Sequence, residues 1–265
     1  MNKKVVIITG ASSGIGLALA KEYDKKDINI VIAARNIEKL TSLKDELRNE
    51  VLAVKTDVSI QEDCENLINK TIEKFGRIDI LINNAGISMR SLIIDTDFEV
   101  IKRVMDVNYW GTVYCTKYAL PYILERKGSV AAVTSIAGFK GLPARVAYSS
   151  SKFAIHGFID VLRMETLKTG IHVLLVAPGF THSEIRKNAL LGDGSKQGES
   201  PRNEDKMMSA EKVAKIITRA INKRKRKKIL TSQGKIVFFL NNIVPKILDR
   251  LIYNGMAKES NSPLK

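Results

Sequence analysis

The sequence predicts an α/β fold in which helices cover both faces of a doubly wound parallel sheet. Short apolar runs alternate with longer helical patterns along most of the chain, as in successive β-α-β units. Gly-rich turns follow two of the apolar runs directly. With 265 residues, 45% of them apolar, the chain suits one sizeable domain of about seven strands. Right-handed crossovers would join the parallel strands.

Each element is placed by its pattern and by the turn residues that bound it. The helices have apolar positions at helical spacing, and Gly76 is suited to end one of them. The predicted strands are 5–8, 28–34, 51–54, 78–82, 128–135, 171–177 and 229–231. The predicted helices run from the first Gly-rich turn through residue 26, then over 37–49, 60–75, two within 97–126, 147–169 and 209–222.

The first Gly-rich turn, residues 9–16, has the sequence TGASSGIG between a buried strand and a helix. Glycines here allow backbone N–H groups to approach a pyrophosphate at the positive end of the helix. A Gly-rich loop alone is weak evidence, but its position after the first strand predicts a Rossmann-type dinucleotide site. The expected contacts are Gly10, Ser12, Ser13, Gly14, Ile15 and Gly16.

The end of the second strand indicates which dinucleotide is bound. An acidic residue there would bind a free ribose 2′-hydroxyl, but the strand ends in Ala33, Ala34 and Arg35. Arg35 can pair with a 2′-phosphate, with Ser12 and Ser13 as additional donors. This favours NADP(H) over NAD(H). The alternative is that Arg35 is a surface residue without a ligand.

Further turns at strand ends should line the same crevice, because ligands bind at the carboxyl edge of an open α/β sheet. Asp57 after the third strand could accept from the adenine amino group while Val58 packs on the ring; alternatively, Asp57 is a neighbour of a helix N-cap. The other expected cofactor contacts at strand ends are Asn84, Ala85, Gly86, Pro178 and Gly179.

Tyr148 and Lys152 are four residues apart at the start of a predicted helix, which puts them on one face. A nearby ammonium favours the phenolate and would lower the tyrosine pKa toward the range of a usable acid. The alternative is an exposed pair on a solvated helix face. The cofactor features elsewhere in the chain favour the catalytic interpretation.

Net charge is +15, which favours anionic partners without identifying one. The basic run 223–228 is interpreted first as a solvated turn and second as a contact with anionic membrane headgroups. Nucleic acid is disfavoured because no aromatic residues interleave the run.

Two cysteines, Cys64 and Cys115, are expected to be reduced in a cytoplasmic protein. The three histidines share no metal-ligand spacing, and no metal site is expected.

Two segments near the C-terminus should shape the substrate site. Residues 184–206 are rich in polar residues and predict a mobile lid, or else an inert surface insertion. The catalytic domain is assigned to 1–233, and 234–265 is predicted to be a helical tail with a broad apolar stripe that breaks near Pro245. The tail could pack on the domain, form a subunit interface, or lie on a bilayer surface and admit a lipid.

These motifs together resemble the classical short-chain dehydrogenase/reductase family over nearly the whole chain. The resemblance rests on residues 9–16, Asp57, residues 83–86, residues 178–179, and four further positions. Residues 178–183, 188–189 and 192–195 are similar to the hydroxysteroid-dehydrogenase-like branch, including the acyl-dihydroxyacetone-phosphate reductase group. The further positions, which the resemblance implies are catalytic, are Asn108, Ser135, Tyr148 and Lys152.

The resemblance implies a role for each of these residues. Tyr148 is the general acid/base, Ser135 binds the reacting oxygen, and Lys152 lowers the Tyr148 pKa and holds the nicotinamide ribose. In such enzymes the residue at Asn108 helps to hold a water that relays protons to the lysine. Thr181 and Ser183 are expected to reach the nicotinamide amide or the pyrophosphate, with Ser183 standing where the family often has Thr.

The sequence thus predicts an NADPH-dependent oxidoreductase that interconverts a ketone and a secondary alcohol on a hydrophobic small molecule, with lipid-derived ketones among the candidates. The alternatives are a 3-oxoacyl-thioester reductase of fatty-acid synthesis and, outside enzymes, a nucleotide-sensing or peripheral membrane-binding protein on the same fold. A homodimer or homotetramer is expected by family likeness, through the helices within 97–126 and 147–169. The expected location is cytoplasmic, with possible contact at the inner face of a membrane.

Overall fold

The computed structural model describes residues 3–202 and 207–265. Within them, a parallel sheet has the strand order β3-β2-β1-β4-β5-β6-β7. This confirms the predicted Rossmann-type doubly wound sheet with seven strands. The strands are β1 (Lys4–Thr9), β2 (Ile28–Ala34), β3 (Val51–Lys55), β4 (Ile80–Asn83), β5 (Ser129–Val133), β6 (His172–Ala177) and β7 (Lys227–Ile229).

Helices cover the two faces of this sheet. Alternate residues of β1 enter different cores: Val6 and Ile8 pack with α1, α2 and α7, whereas Val5 and Ile7 pack with α3, α5 and α6. Because both faces are covered, the central strands are apolar throughout. The helices are α1 (Gly14–Tyr23), α2 (Ile37–Glu46), α3 (Gln61–Phe75), α4 (Phe98–Met105), α5 (Gly111–Glu125), α6 (Val146–Glu165), α7 (Ala210–Asn222), α8 (Ser232–Ile243) and α9 (Pro245–Ala257).

The strand order reverses between β1 and β4, and this reversal creates the crevice of the fold. β1 pairs with β2 on one side and with β4 on the other, with Ile8 opposite Ile82. The turns that follow these strands diverge to opposite faces, which leaves a gap at the carboxyl edge. Because β1 and β4 pair directly, the two predicted Gly-rich turns that follow them lie side by side at this gap.

Two local features differ from the sequence predictions. One turn of π-helix, Asp106–Trp110, joins α4 to α5. The last strand is Lys227–Ile229 rather than 229–231, because its register is set by pairing with β6, with Leu175 opposite Lys227. Lysines are tolerated on β7 because it is an edge strand.

The tail forms α8 and α9, which meet at Pro245 as the apolar stripe predicted. Thr231 begins α8 by accepting a hydrogen bond from the Gly234 N–H at 3.0 Å, so the helix starts slightly earlier than predicted. Within the described residues, no helix is long and apolar enough to cross a membrane.

The segment predicted as a lid, residues 184–206, lies partly outside the described residues, at 203–206. Its described part is anchored to the body of the protein. The Leu190 side chain is buried, and the Leu190 backbone exchanges hydrogen bonds with Ser88 and Arg90 at 2.9 and 2.7 Å. The segment thus packs beside the loop that follows β4.

Candidate active site

A cavity of about 890 Å³ runs along the carboxyl edge of the sheet, from the first Gly-rich turn to the tail helices. Two of the predicted site residues, Gly16 and Asn108, lie behind the cavity wall instead of on it. The other predicted residues line it: Gly10, Ser12, Ser13, Gly14, Ile15, Arg35, Asp57, Val58, Asn84, Ala85, Gly86, Ser135, Tyr148, Lys152, Pro178, Gly179, Thr181 and Ser183.

The first Gly-rich turn places the N-terminus of α1 at the cavity. Gly10 and Gly14 have φ of +67° and +52°, a region that favours glycine. Gly16 packs against the loop: a Cβ added there would lie 2.7 Å from Asn84 Nδ2. This glycine permits the close approach of helix and loop, and a cofactor contact at Gly16 stays a prediction.

Asn84 and Thr9 fasten the two Gly-rich turns together. The Asn84 amide Nδ2 donates to the Thr9 carbonyl at 2.9 Å, and the backbone N–H groups of Asn84 and Ala85 donate to Thr9 Oγ1 at 3.0 and 3.1 Å. The Asn84 side chain is thus used to shape the cavity. Its backbone and that of Ala85 form part of the wall.

One end of the cavity is lined by cationic and polar groups from β2, α2 and the β3–α3 turn. Arg35 is exposed there, and Lys39, which the sequence analysis missed, lines the same cavity one helical turn later. Asn36 begins α2 by accepting from the Lys39 N–H at 2.7 Å. Asp57 fits both of its sequence interpretations: it lines the cavity, and its Oδ1 accepts from the Ser59 hydroxyl at 2.7 Å ahead of α3.

At the other end, Ser135 and Tyr148 meet. Ser135 follows β5, and its Oγ accepts from the Ala137 N–H at 3.1 Å, which fixes the side chain at the start of a short 3₁₀ turn. Tyr148 lies in the first turn of α6, within interaction range of the Ser135 hydroxyl, and both residues line the cavity. Two hydroxyl groups therefore converge at one position on the cavity wall.

The charge environment of Tyr148 differs from the expectation. Burial raises the pKa of Tyr148 above its ordinary value, while the hydrogen bond with Ser135 and the charges of Arg145 and Arg186 lower it. The Lys152 Nζ is 5.7 Å from the Tyr148 ring centroid and donates to the Val133 carbonyl at 3.2 Å, and its effect on the Tyr148 pKa stays a prediction. Burial lowers the pKa of Lys152 to about 8.

Asn108 lies in the π-helical turn and is fully buried. Its Oδ1 accepts from the Ile87 N–H at 2.8 Å, and its Nδ2 donates to the Ile87 carbonyl and to Ser151 Oγ at 3.0 and 2.9 Å. These bonds hold the second Gly-rich turn against α6. A Cβ added at Gly86 would lie 3.4 Å from Lys152 Nζ, so this glycine keeps the space beside the ammonium open.

The segment after β6 forms another wall. The Thr181 hydroxyl donates to the Gly179 carbonyl at 3.2 Å, and Arg186 Nη2 donates to the Thr181 carbonyl at 2.7 Å. Ser183 lies against the first Gly-rich turn, where a Cβ added at Gly14 would be 3.4 Å from the Ser183 Cβ. Thr181 and Ser183 both line the cavity, and their contact with a cofactor stays a prediction.

Arg145, Arg202 and Glu259 also line the cavity, and the sequence analysis missed all three. Arg145 has a local signal, since it precedes Tyr148 by three residues. Glu259 has none, because it reaches the site only through the path of the tail. Among the described residues, no cluster of His, Cys, Asp or Glu could hold a metal ion.

The two cysteines, which are far apart in sequence, meet behind the cavity. Cys64 on α3 and Cys115 on α5 are both buried and not in a disulfide bond, and their thiols are close enough to interact. The hydrogen bond with Cys64 and burial together raise the pKa of Cys115 well above its ordinary value.

Comparison with known proteins identifies the family. The family model described as short chain dehydrogenase matches residues 4–193. The chain belongs to this family. Dehydrogenase/reductase SDR family member 7B of Mus musculus is 34% identical over 271 residues, covering 99% of this chain and 84% of the mouse protein. The 7-like protein of Dictyostelium discoideum is 37% identical over 262 residues, covering 94% and 81%.

Solved short-chain dehydrogenases share the fold. One from Burkholderia phymatum, in complex with NAD, has a TM-score of 0.83 and 22% identity, covering 93% of this chain and 95% of that one. An alcohol dehydrogenase from Thermococcus sibiricus, complexed with 5-hydroxy-NADP, has a TM-score of 0.74 and 24% identity, covering 86% and 94%. Family membership establishes a nucleotide-binding oxidoreductase that acts on CH–OH groups of small molecules.

Proposed function

We propose that this short-chain dehydrogenase interconverts a ketone and a secondary alcohol on a hydrophobic, lipid-derived substrate with NADP(H) as cofactor. The observation that carries the proposal is the meeting of Ser135 and Tyr148 at one end of a cavity whose other end has the Gly-rich turn and two cations, Arg35 and Lys39. One end suits acid–base chemistry on a carbonyl, and the other suits an anionic dinucleotide.

In reduction, Tyr148 donates its proton to the carbonyl oxygen, and it accepts that proton back in oxidation. Ser135 donates a hydrogen bond to the same oxygen and stabilises the charge that develops on it. When bound, the cofactor supplies or accepts the hydride at its nicotinamide ring. Burial holds the Tyr148 phenol protonated at neutral pH, the form that reduction requires.

The residues present fit a dinucleotide. Gly10 and Gly14 place no side chains of their own in the turn, and the backbone at the N-terminus of α1 can bind a pyrophosphate. Lys152 and the two hydroxyl groups of Thr181 and Ser183 would hold the nicotinamide half. The absence of an acidic residue at the end of β2 and the presence of Arg35 and Lys39 favour a 2′-phosphate.

Apolar side chains of the tail support a hydrophobic substrate. The tail helices α8 and α9 each contribute one face to the cavity that Tyr148 also lines. Such a wall favours an aliphatic chain, because each buried methylene adds about 0.8 kcal/mol to binding. These side chains are Ile236, Val237, Leu240, Leu248, Leu251, Ile252 and Met256.

The outer face of the tail supports peripheral contact with an anionic membrane. Large apolar side chains are exposed there, and Lys235, Lys246 and Arg250 lie on the same two helices. Because neighbouring positions line the cavity, this face would bring the cavity mouth close to a lipid source. The exposed side chains are Phe239, Ile243 and Ile247, and Ile236 and Leu251 are exposed as well but also line the cavity.

A separate apolar surface supports a homodimer or homotetramer. Large apolar side chains are exposed in the π-helical turn before α5, along α6 and just after it, and this turn is hydrogen bonded to α6. They are Trp110, Phe153, Val161, Met164 and Leu167. Analytical ultracentrifugation of the native protein and of a Val161→Lys, Met164→Lys variant tests this surface, with a shift to monomer expected for the variant.

The test of the activity is a ketone panel followed by NADPH absorbance. It includes long-chain 3-oxoacyl thioesters, steroid ketones, keto-sphingoid bases and acyl-dihydroxyacetone phosphate. We expect turnover of at least one long-chain ketone, and loss of this turnover in Tyr148→Phe but not in Tyr253→Phe, a matched change on the exposed side of α9. Preferential turnover of 3-oxoacyl thioesters would favour the fatty-acid-synthesis alternative.

A further inference from the structure

Glu259 follows α9, and its carboxylate is buried among arginines from three other segments. One oxygen accepts a hydrogen bond from Arg202 Nε, and the other lies 3.3 Å from Arg90 Nη2 and 3.9 Å from Arg145 Nη2. The side chain of Glu259 is 5% exposed. A carboxylate buried to this degree is tolerated only when cations surround it, so these contacts hold the end of the tail in place.

The three arginines belong to segments that build the catalytic end of the cavity. Arg90 follows the second Gly-rich turn, Arg145 begins α6 three residues ahead of Tyr148, and Arg202 belongs to the segment after β6. Arg145, Arg202 and Glu259 all line the cavity. One carboxylate therefore connects the tail to three walls of the same site.

Arg145 is the group that relates Glu259 to the phenol. Its Nη1 donates to the Ala144 carbonyl at 3.0 Å, and Ala144 itself has φ of +57°, so the backbone folds the guanidinium back over the start of α6. The Nη2 end faces Glu259. Burial raises the pKa of Tyr148, and the charge of Arg145 lowers it. Burial lowers the pKa of Arg145, and the charge of Glu259 raises it.

We propose that Glu259 is a positioning residue for the acid–base chemistry at Tyr148, holding Arg145 in place and offsetting its charge. This inference rests on the proposed function, which makes Tyr148 the acid. It assigns the end of the tail a role in the reaction in addition to enclosing the substrate. Neutralising the carboxylate would make the surroundings of the phenol more positive and would favour the phenolate.

Other charged groups from the neighbouring elements also surround Tyr148 and Glu259, and the Glu259→Gln variant keeps all of them. Glu259 differs from them in being an anion in direct contact with Arg145. Removing its charge alone should therefore shift Tyr148 ionisation to lower pH. The remaining groups are Lys152 on α6, Arg103 on α4, Arg90 after β4, and Arg186, Arg202, Glu184 and Lys196 in the segment after β6, while Arg35, Lys39 and Asp57 lie at the opposite end of the cavity.

The deciding experiment is an ultraviolet titration of tyrosinate that needs no substrate. The chain has seven tyrosines, so the signal of Tyr148 is isolated by subtracting the curve of the matching Tyr148→Phe derivative. We expect the midpoint in Glu259→Gln to fall by roughly half a pH unit or more. Asp249→Asn removes the same charge from an exposed position on the same tail, where it pairs with Lys140, and should leave the midpoint unchanged.

A second arm uses the ketone that the panel identifies. Reduction requires the protonated phenol, so the fall of kcat at high pH should move to lower pH in Glu259→Gln by the same amount as the titration. Glu259→Asp should restore the native profile. If no ketone is turned over, the proposed function fails, while the titration still decides the link between Glu259 and Tyr148.

A purely structural role for Glu259 gives a different result: lower thermal stability with the native titration midpoint. That outcome in folded Glu259→Gln would overturn the proposal. If Glu259→Gln does not fold, Arg145→Gln provides the decision, because loss of this cation should raise the Tyr148 midpoint. An unchanged midpoint in folded Arg145→Gln would equally refute the inference.

Discussion

Lys152 provides a prediction whose size follows from the structure. Its ammonium is almost fully buried and donates to the Val133 carbonyl, and burial lowers its pKa from 10.5 to about 8. Each pKa unit corresponds to about 1.36 kcal/mol, so burying the charged form costs roughly 3 kcal/mol at neutral pH. The lost hydrogen bond would offset about 1 kcal/mol of this. We therefore expect Lys152→Met to stabilise the cofactor-free protein by about 2 kcal/mol.

The pH dependence of this difference distinguishes electrostatic from packing effects. The folded state releases the Lys152 proton at a lower pH than the unfolded state does, so the unfolded state binds more protons between pH 8 and 10.5. Stability of the native protein attributable to this group therefore rises with pH across that window and is lowest below it. The advantage of Lys152→Met should be full below pH 8 and should disappear near pH 10.5.

Urea unfolding of native protein and Lys152→Met at a series of pH values provides the measurement, with equal m-values as the check on two-state behaviour. Lys140→Met is the matched control, since Lys140 has a carboxylate partner, the exposed Asp249 on α9, whereas Lys152 donates to a backbone carbonyl. A Lys152→Met protein that is less stable than the native one at pH 7, or a gain that does not change with pH, would refute the reasoning.

Three further outcomes are expected. Tyr148→Phe should retain NADPH binding, measured by fluorescence titration, while kcat falls by about 10²- to 10⁴-fold; full activity would exclude the acid role. Arg35→Ala should weaken NADPH binding by roughly tenfold and leave NADH binding unchanged, and equal affinities in the native protein would contradict the 2′-phosphate assignment. Replacing Phe239, Ile243 and Ile247 with serine should reduce sedimentation with anionic liposomes, and unchanged sedimentation would exclude this face as the contact.

The sequence predicted the sheet well because each strand carries its own signal. Strands buried on both faces are short apolar runs, and the turns that follow them carry Gly, Asn or Pro in place of apolar residues. The least accurate strand was β7, whose position depends on pairing with β6 and not on its own residues. Local composition could not locate it, because a basic edge strand looks like a solvated turn.

At the site, sequence reasoning located residues better than it assigned their interactions. Tyr148 and Lys152 share a helix face, but the direction of the ammonium depends on the carbonyl at the end of β5, which the sequence does not place beside it. Asn108 was selected by family likeness, yet its hydrogen bonds to Ile87 and Ser151 show a scaffold role that depends on tertiary packing.

The pKa of Tyr148 also depends on groups that are distant in sequence as well as on neighbouring ones. The Lys152 ammonium donates to the Val133 carbonyl, and the groups that shift the Tyr148 pKa besides burial are Ser135, Arg145 and Arg186. Arg145 forms an ion pair with Glu259, which follows α9. The charged groups around Tyr148 are therefore all in position only when the tail is in place. A tail that both encloses an apolar cavity and holds the arginine beside Tyr148 would couple substrate enclosure to proton transfer, and the Glu259→Gln titration measures that coupling directly.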